Sequence, residues 1–562
     1  MKTRTMNRGT AVSMPRAVAL AAMLALAQSA VHAADEADAE PSDVKINWTN
    51  TIKYGVASRL NGHDAALGSP MASANPNLAN LDDGNRNFGK GLITNRIDLL
   101  SELDAVHRDG FGVRVSAAGW YDSVYNGNTD NPGFAGGAIP NHFPYSEFPG
   151  KTRSLNGRKA EVRDAFVFGK AEVGGMPLTG RLGQHALVWG ESLFFANNAI
   201  AGGQSAYDIS RLLADPTAQA KEFVLPVPQI SGQLQLTPDF SLAAYYQFRH
   251  RANRTPSVGS YFSISDIVGD GAEMMHTGPN PADIALRDAD MKAKNSGQFG
   301  LQAKFRAGET DLGLYAIRFH DKDPQQVTRL GAGFNPASYY LTWHEATTAI
   351  GASASHSFGD VNLAVEGSIR HNQSLASSGH AADVSGALPF PVPANDNSGN
   401  PAYAVGKTAH LNASAIWSLQ PSALWREALF IGEVAWNRLL SCTKSCNALD
   451  PNATKDALSL RAVFEPTYRQ VVPGLDLGVP VGLGYTPNGS RSALGPFGFP
   501  AEGGGDFTIG LSGLYQQTWR FNLAYTNFFG KAEPLLDASR SFSYQQSRKD
   551  RDFVSFTVRR SF

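Results

Sequence analysis

From Asn47 to Arg59, apolar and polar side chains alternate: Trp48, Ile52, Tyr54 and Val56 hold even positions, while Thr49, Thr51, Lys53 and Arg59 hold odd ones. A period of two is that of a β-strand with one apolar face. The pattern recurs as Ile93, Ile97, Leu99 and Leu103 against Arg96, Asp98, Glu102 and Asp104, and as Val361, Leu363, Val365 and Ile369 against Asn362, Glu366, Ser368 and Arg370. Ile230, Leu234 and Leu236 likewise alternate with Gln229, Ser231, Gln233 and Gln235. Eighteen such segments begin near residues 47, 92, 111, 159, 178, 229, 240, 296, 310, 346, 361, 407, 425, 457, 473, 507, 519 and 552.

The connections sort themselves. After even-numbered segments the link is short, as in Thr237-Pro238-Asp239 and Gly359-Asp360; after odd-numbered ones it is long, as at 123–157, 190–228 and 251–295. Short turns at one end, long loops at the other and an even strand number are the arrangement of a bacterial outer-membrane barrel. The fold expected is therefore all-β: a single closed antiparallel transmembrane β-barrel of about 18 strands, with 16 or 14 as alternatives, and long extracellular loops. In hydrocarbon every backbone N–H and C=O needs a partner, and a closed sheet supplies them without a free edge. Trp48, Phe111, Tyr121, Trp417, Trp436, Trp519 and Tyr525 fall where aromatic girdles belong, with the core aromatics of a β-sandwich as the alternative. The final segment places Val554, Phe556, Val558 and Phe562 on one face, but puts Arg560 there too, where it must reach back to the interface.

The start of the chain reads differently. Lys2, Arg4, Arg8 and Arg16 precede an apolar run from Ala17 to Ala27 and the small-residue site Val31-His32-Ala33, so residues 1–33 are expected to be a secretory signal and 34–562 the barrel. That run is about half a spanning helix, and no later stretch reaches the roughly 20 apolar residues one needs. A net charge of −1 gives no electrostatic reason to expect nucleic acid. The two cysteines, Cys442 and Cys446, are expected to form a small loop disulfide, because two thiolates alone do not complete a tetrahedral metal site.

The face opposite the apolar one would line the lumen. It carries Arg96, Arg114, Arg163, Arg181, Arg249, Arg370, Arg461 and Arg520, with Asp98, Glu102, Asp104, Asp122, Glu161, Glu366, Glu427, Glu433 and Glu465 as opposing charges. Such a wall could orient dipolar or anionic solutes, or could be a cross-strand ion-pair lattice that stiffens it. The third long connection, 190–228, is apolar instead: Phe194, Phe195, Tyr207, Ile209, Leu212 and Leu213 are candidates for a constriction, the last three at helical spacing. This loop is expected to be partly helical and to fold into the mouth and occlude the lumen, with packing against neighbouring extracellular loops or a neighbouring barrel as the alternative.

Motifs of chemistry are sparse: there is no G-x-S-x-G, no Walker loop and no H-E-x-x-H, since His344-Glu345 lacks the second histidine. His185 and His410 fall on the lumen face without an evident nucleophile. No catalytic residue, cofactor or metal is assigned, although a barrel-embedded lipase would escape a motif search.

The blocks Arg181-Leu-Gly-Gln-His-Ala-Leu-Val-Trp-Gly-Glu-Ser192, Tyr207-Asp-Ile-Ser-Arg-Leu212 and Lys221-Glu-Phe-Val-Leu-Pro-Val-Pro228 resemble a proteobacterial outer-membrane family catalogued as a domain of unknown function. The resemblance implies genes beside resistance-nodulation-division-type exporters, a periplasmic lipoprotein-like partner, and hydrophobic cargo of lipid, steroid or hydrocarbon type. Outer-membrane lipids and the barrel-assembly machinery would be the other partners. The function expected is a conduit for a small hydrophobic molecule; a general polar-solute porin and a surface adhesin or structural barrel are the alternatives.

Overall fold

The computed structural model describes residues 43–68, 75–134, 139–215, 218–489 and 498–562. The expected signal segment, 1–33, lies outside the described residues. Among those described, eighteen strands close into one antiparallel barrel. In chain order they are β1 Val44–Arg59, β2 Gly91–His107, β3 Gly112–Asp122, β4 Arg158–Val173, β5 Met176–His185, β6 Val227–Thr237, β7 Phe240–Gln247, β8 Gln298–Ala307 and β9 Thr310–Phe319. The second half continues with β10 Thr347–Phe358, β11 Val361–Ser374, β12 Val405–Leu419, β13 Glu427–Lys444, β14 Asp456–Val472, β15 Leu475–Gly478 and Val481–Asn488 (one interrupted strand), β16 Gly504–Tyr515, β17 Trp519–Phe529 and β18 Phe553–Ser561.

Each strand pairs with its sequence neighbours, and β18 returns to β1 in a register that sets Tyr54 opposite Val558 and Val56 opposite Phe556. The short turns include Gly174-Gly175, whose two positive φ angles (60° and 78°) glycine adopts without strain. Gln516 and Gln517 make the same left-handed turn (49° and 55°) with side chains, a more strained solution.

Apolar residues on the outer face have no protein cover: Leu301 is 60% exposed and Ile350 67%. A continuous apolar surface of this kind is stable only against lipid. Aromatic side chains mark its two edges. Phe111, Phe240, Phe305, Trp417 and Trp519 stand at the short-turn end, Tyr121, Phe299, Trp436 and Tyr525 toward the long loops. Arg560 resolves its awkward position by laying its guanidinium over the Trp519 ring, 5.2 Å from the centroid.

The dry core lies inside the long-loop mouth. There Ala57 of β1, Phe88, Ile93 of β2, Tyr125, Phe148, Tyr261, Phe262, Phe528 of β17 and Phe553 of β18 form one buried cluster. Above the rim, loop segments Met274–His276, Ile284–Arg287, Gln325–Leu330, Pro336–Thr342 and Ala382–Asp383 assemble a small five-stranded sheet. The cap is thus built from loops that interlock by backbone hydrogen bonds. Cys442 and Cys446 are disulfide-bonded where β13 enters the seventh long loop.

Candidate functional site: the lumen and the third long loop

The connection from β5 to β6 enters the barrel, as its apolar composition predicts, and the wall grips it by its backbone. Glu433 of β13, 2% exposed, accepts at one oxygen from the N–H groups of Leu193 and Phe195 (both 3.1 Å) and from that of Phe194; its other oxygen accepts from Asn412 (2.7 Å). Glu366 of β11 does the same for Glu191 N (2.7 Å) and Ile200 N (2.6 Å). A buried carboxylate needs such donors, and a run of backbone N–H groups is a ready anion nest. Arg370 donates in turn to the carbonyls of Asn197 (3.0 Å) and Ala199 (2.8 Å). His410 receives the loop too, its Nδ1 3.0 Å from Asn198 Oδ1. Gly190 makes the approach possible: its φ is 95°, and a Cβ there would collide with Glu366 Oε2. Trp189 and Ile200 complete the docking by packing on inward-facing Tyr245, Tyr315, Ile317 and Phe319 of β7 and β9.

The second half of the loop crosses to the opposite wall and is held mainly by charge. A short hairpin, Ala206–Tyr207 against Val224–Leu225, brackets a helix over Ile209–Ala214 whose Asp208 cap accepts from Arg211 N (2.9 Å). Arg211 reaches Asp98 of β2 and, within the loop, Glu222, both at 2.9 Å. Lys53 of β1 pairs with Asp215 and with Glu222 (3.2 Å), and Lys221 with Glu102. From the next loop Arg254 bridges Glu161 of β4 (2.6 Å) and Asp208 (2.7 Å). Burial opposes the charge on Arg211, but Asp98 and Glu222 outweigh it and raise its affinity for the proton. Burial likewise pushes the Glu222 carboxyl up, and Lys53 and Arg211 pull it to a net value below the usual range.

Of the expected lumen residues, Arg163, Glu366, Arg370 and Glu433 hold the loop; Arg163 donates to the carbonyls of Lys221 (3.0 Å) and Val224 (2.8 Å). Others pair along the wall: Arg96 with Asp98 (2.7 Å), Arg114 with Glu102 (2.7 Å) and Asp104 (3.3 Å), Arg461 with Asp506 (2.6 Å). Arg181 lies over the Phe166 ring, 5.7 Å from its centroid. Arg520 is exposed at the short-turn rim, opposite Arg559. Arg249 is not on the wall: β7 ends at Gln247, and Arg249 is exposed at the start of the following loop.

Among the expected constriction residues, Phe195 and Tyr207 are buried, Phe194 packs beside Phe195, and Leu213 packs against the apolar cluster of the mouth. The helix of Ile209, Leu212 and Leu213 has no buried residue, and Leu212 is 39% exposed, so this helix borders open space. Lys53, Arg211 and Arg254 anchor the loop without standing among the expected site residues. Lys53 sits on the odd, polar face of β1 and was accessible to the same reading; the loop cations carry no periodic signal.

Two adjoining cavities follow the β1–β4 wall beside that helix, sharing Lys53, Arg96, Asp98, Trp120, Asp208 and Arg211. The one toward the long loops, about 100 Å³, adds Ile93, Leu155, Tyr125, Tyr261 and Phe262 to its lining. It is apolar on one side and charged on the other. Elsewhere in the lumen His185 Nε2 is 2.8 Å from Ser231 Oγ, but its Nδ1 meets the carbonyl of Gly183 (3.1 Å), where a catalytic triad would place a carboxylate.

The family of proteins of unknown function designated DUF1302 matches residues 14–562. No curated protein matches the chain. Among solved structures, the outer membrane channel DcaP of Acinetobacter baumannii is similar at 10% identity and TM-score 0.37, covering 93% of this chain and 99% of that one. OccAB2 of Acinetobacter baumannii gives 11% and 0.43, with 93% and 99% covered. OpdK of Pseudomonas aeruginosa, crystallised with vanillate, gives 10% and 0.40, with 92% and 98% covered. Likenesses this distant leave the weight of the fold on the chain's own strand pairing.

Proposed function

Given that the chain belongs to the DUF1302 family of proteins of unknown function, we propose that it is an outer-membrane channel whose third long loop closes the lumen and which conducts a small amphipathic or hydrophobic molecule along the β1–β4 wall. One observation carries this reading: the cavity beside the Ile209–Ala214 helix sets Ile93, Tyr125, Tyr261 and Phe262 against Arg96, Asp98, Arg211 and Arg254. Such a lining accepts an apolar body and orients a polar end. The loop's two anchorages differ in kind. The first is a set of buried backbone hydrogen bonds. The second is mainly a set of ion pairs between largely buried side chains beside the cavity, and it is the part that moves to widen the path. Coupling to a periplasmic lipoprotein-like partner and an exporter of the resistance-nodulation-division type belongs to the same proposal.

A general porin for polar solutes is the second reading, favoured by the half-exposed wall residues Arg114 and Arg461 and by Arg520 at the rim. Reconstitution separates the two. Near-zero steady ion conductance together with uptake of a fluorescent long-chain carboxylate into vesicles supports the closed conduit. Large steady currents with uptake of sugars and no preference for the amphiphile would establish the porin instead.

A further inference from the structure

Three carboxylates outside the lumen path remain unexplained. Asp82 and Asp83 lie in the first long loop and Asp266 in the fourth; they are 0%, 3% and 0% exposed, and one oxygen of each lies within 4.8 Å of the others. Asp83 is satisfied, accepting from Asn131 Nδ2 (3.2 Å) and from the backbone N–H of Asn141 (3.0 Å), both in the second long loop. Asp266 accepts at one oxygen from Asp83 N (3.1 Å). Its other oxygen, and both oxygens of Asp82, are buried without any hydrogen bond. The nearest guanidinium nitrogen, Arg86 Nη1, stands 3.7 Å from Asp82 Oδ2, beyond hydrogen-bonding range, and makes no hydrogen bond itself. Arg551 directs Nη1 to the carbonyls of Tyr261 and Ser263. Buried carboxylate oxygens left without donors are among the costliest features a fold can carry, and a coordinated cation is one of the few ways to satisfy several together.

We propose that Asp82, Asp83 and Asp266 bind a calcium ion that staples the first and fourth long loops into the cap of the barrel, with the second held to the site through the bonds of Asn131 and Asn141 to Asp83. The donor set is all oxygen, which selects a hard cation over zinc or copper. The enclosure is dry on one side: Leu78 and Leu81 of the first long loop and Ile264 of the fourth form a buried cluster with Leu535 and Leu536 of the ninth. Magnesium keeps several of its waters and fits such an enclosure poorly, whereas calcium accepts protein oxygens throughout, at flexible angles. The site is separate from the cavities along the β1–β4 wall, so it stands or falls apart from the transport reading.

The test uses the full-length protein in detergent, stripped with EDTA. Equilibrium dialysis against radioactive calcium, with magnesium in excess, is expected to find one tightly held calcium per chain, and its addition is expected to raise the melting temperature. The Asp82→Asn/Asp266→Asn variant, checked for barrel closure by its heat-modifiable gel mobility, is expected to lose that calcium and the melting shift. No retained calcium in the wild type, displacement by magnesium as readily as by calcium, or equal retention by a closed variant would each overturn the site. The wild-type arm decides the matter even if the variant fails to fold.

Discussion

Replacing Glu433 by alanine tests whether the third loop is held closed by the wall. The carboxylate receives three consecutive backbone N–H groups, of Leu193, Phe194 and Phe195, and one side-chain amide, all in a place 2% exposed. A hydrogen bond to a charged acceptor contributes about 1.5–3 kcal/mol, and a buried donor left alone costs a similar amount. The three donors share one oxygen, so their contributions do not sum; roughly 3–5 kcal/mol for the set is a fair value. At about 1.4 kcal/mol per factor of ten, the undocked population rises by about 10² to 10³ or more. Planar-bilayer recordings read this directly. Wild-type barrels are expected to stay near closed, and Glu433→Ala to show frequent openings to a much larger conductance. Glu433→Gln keeps an acceptor oxygen and should fall between them. A correctly inserted Glu433→Ala barrel with the wild-type record would refute the anchoring role.

Other consequences follow from the same geometry. Ile350→Arg on the lipid-facing side of β10 is expected to cost ~2–4 kcal/mol in equilibrium unfolding from vesicles if it lies near the bilayer midplane, whereas Ser355→Arg, facing the lumen opposite Asp311, should cost well under half of that. Glu222 has a depressed carboxyl, so its contribution to loop closure is fully present above its unfolded value of about 4.3 and is lost as pH falls through the lower folded one. Openings should therefore be insensitive to pH between neutral and about 5 and become frequent only below about 4, and Glu222→Gln should show them at neutral pH. Reducing the Cys442–Cys446 disulfide, which closes only a five-residue ring, is expected to lower stability by about 2 kcal/mol at most and to leave conductance unchanged.

The strands were legible because each reports its own two-fold period. The outward positions Trp48, Ile52, Tyr54 and Val56 and the inward Lys53 and Arg59 fall where alternation puts them. The sorting of long and short connections then fixed the strand pairing without any long-range information. The third loop was legible only in part. Its apolar composition said that it must be buried, but its grip on Glu366, Arg370 and Glu433 is made by main-chain atoms, whose positions no side-chain pattern records. The same limit explains Arg249: it keeps the parity of β7, yet the pairing with β6 and β8 ends at Gln247, and parity has no meaning past the last ladder hydrogen bond. Leu212 shows the complementary case: an apolar residue at helical spacing can border open space as well as a core, and here it is 39% exposed. The carboxylate trio of the cap joins residues about 180 positions apart, which only the fold brings together.

Because Cys442 and Cys446 are bonded to each other, a cysteine introduced at Ser210, which lines the cavity beside the β1–β4 wall, is the only free thiol in the chain. Coupling it to a bulky maleimide should abolish uptake of the long-chain carboxylate while the barrel stays folded. Undiminished uptake by fully labelled protein would put the route elsewhere and contradict the assignment of this cavity.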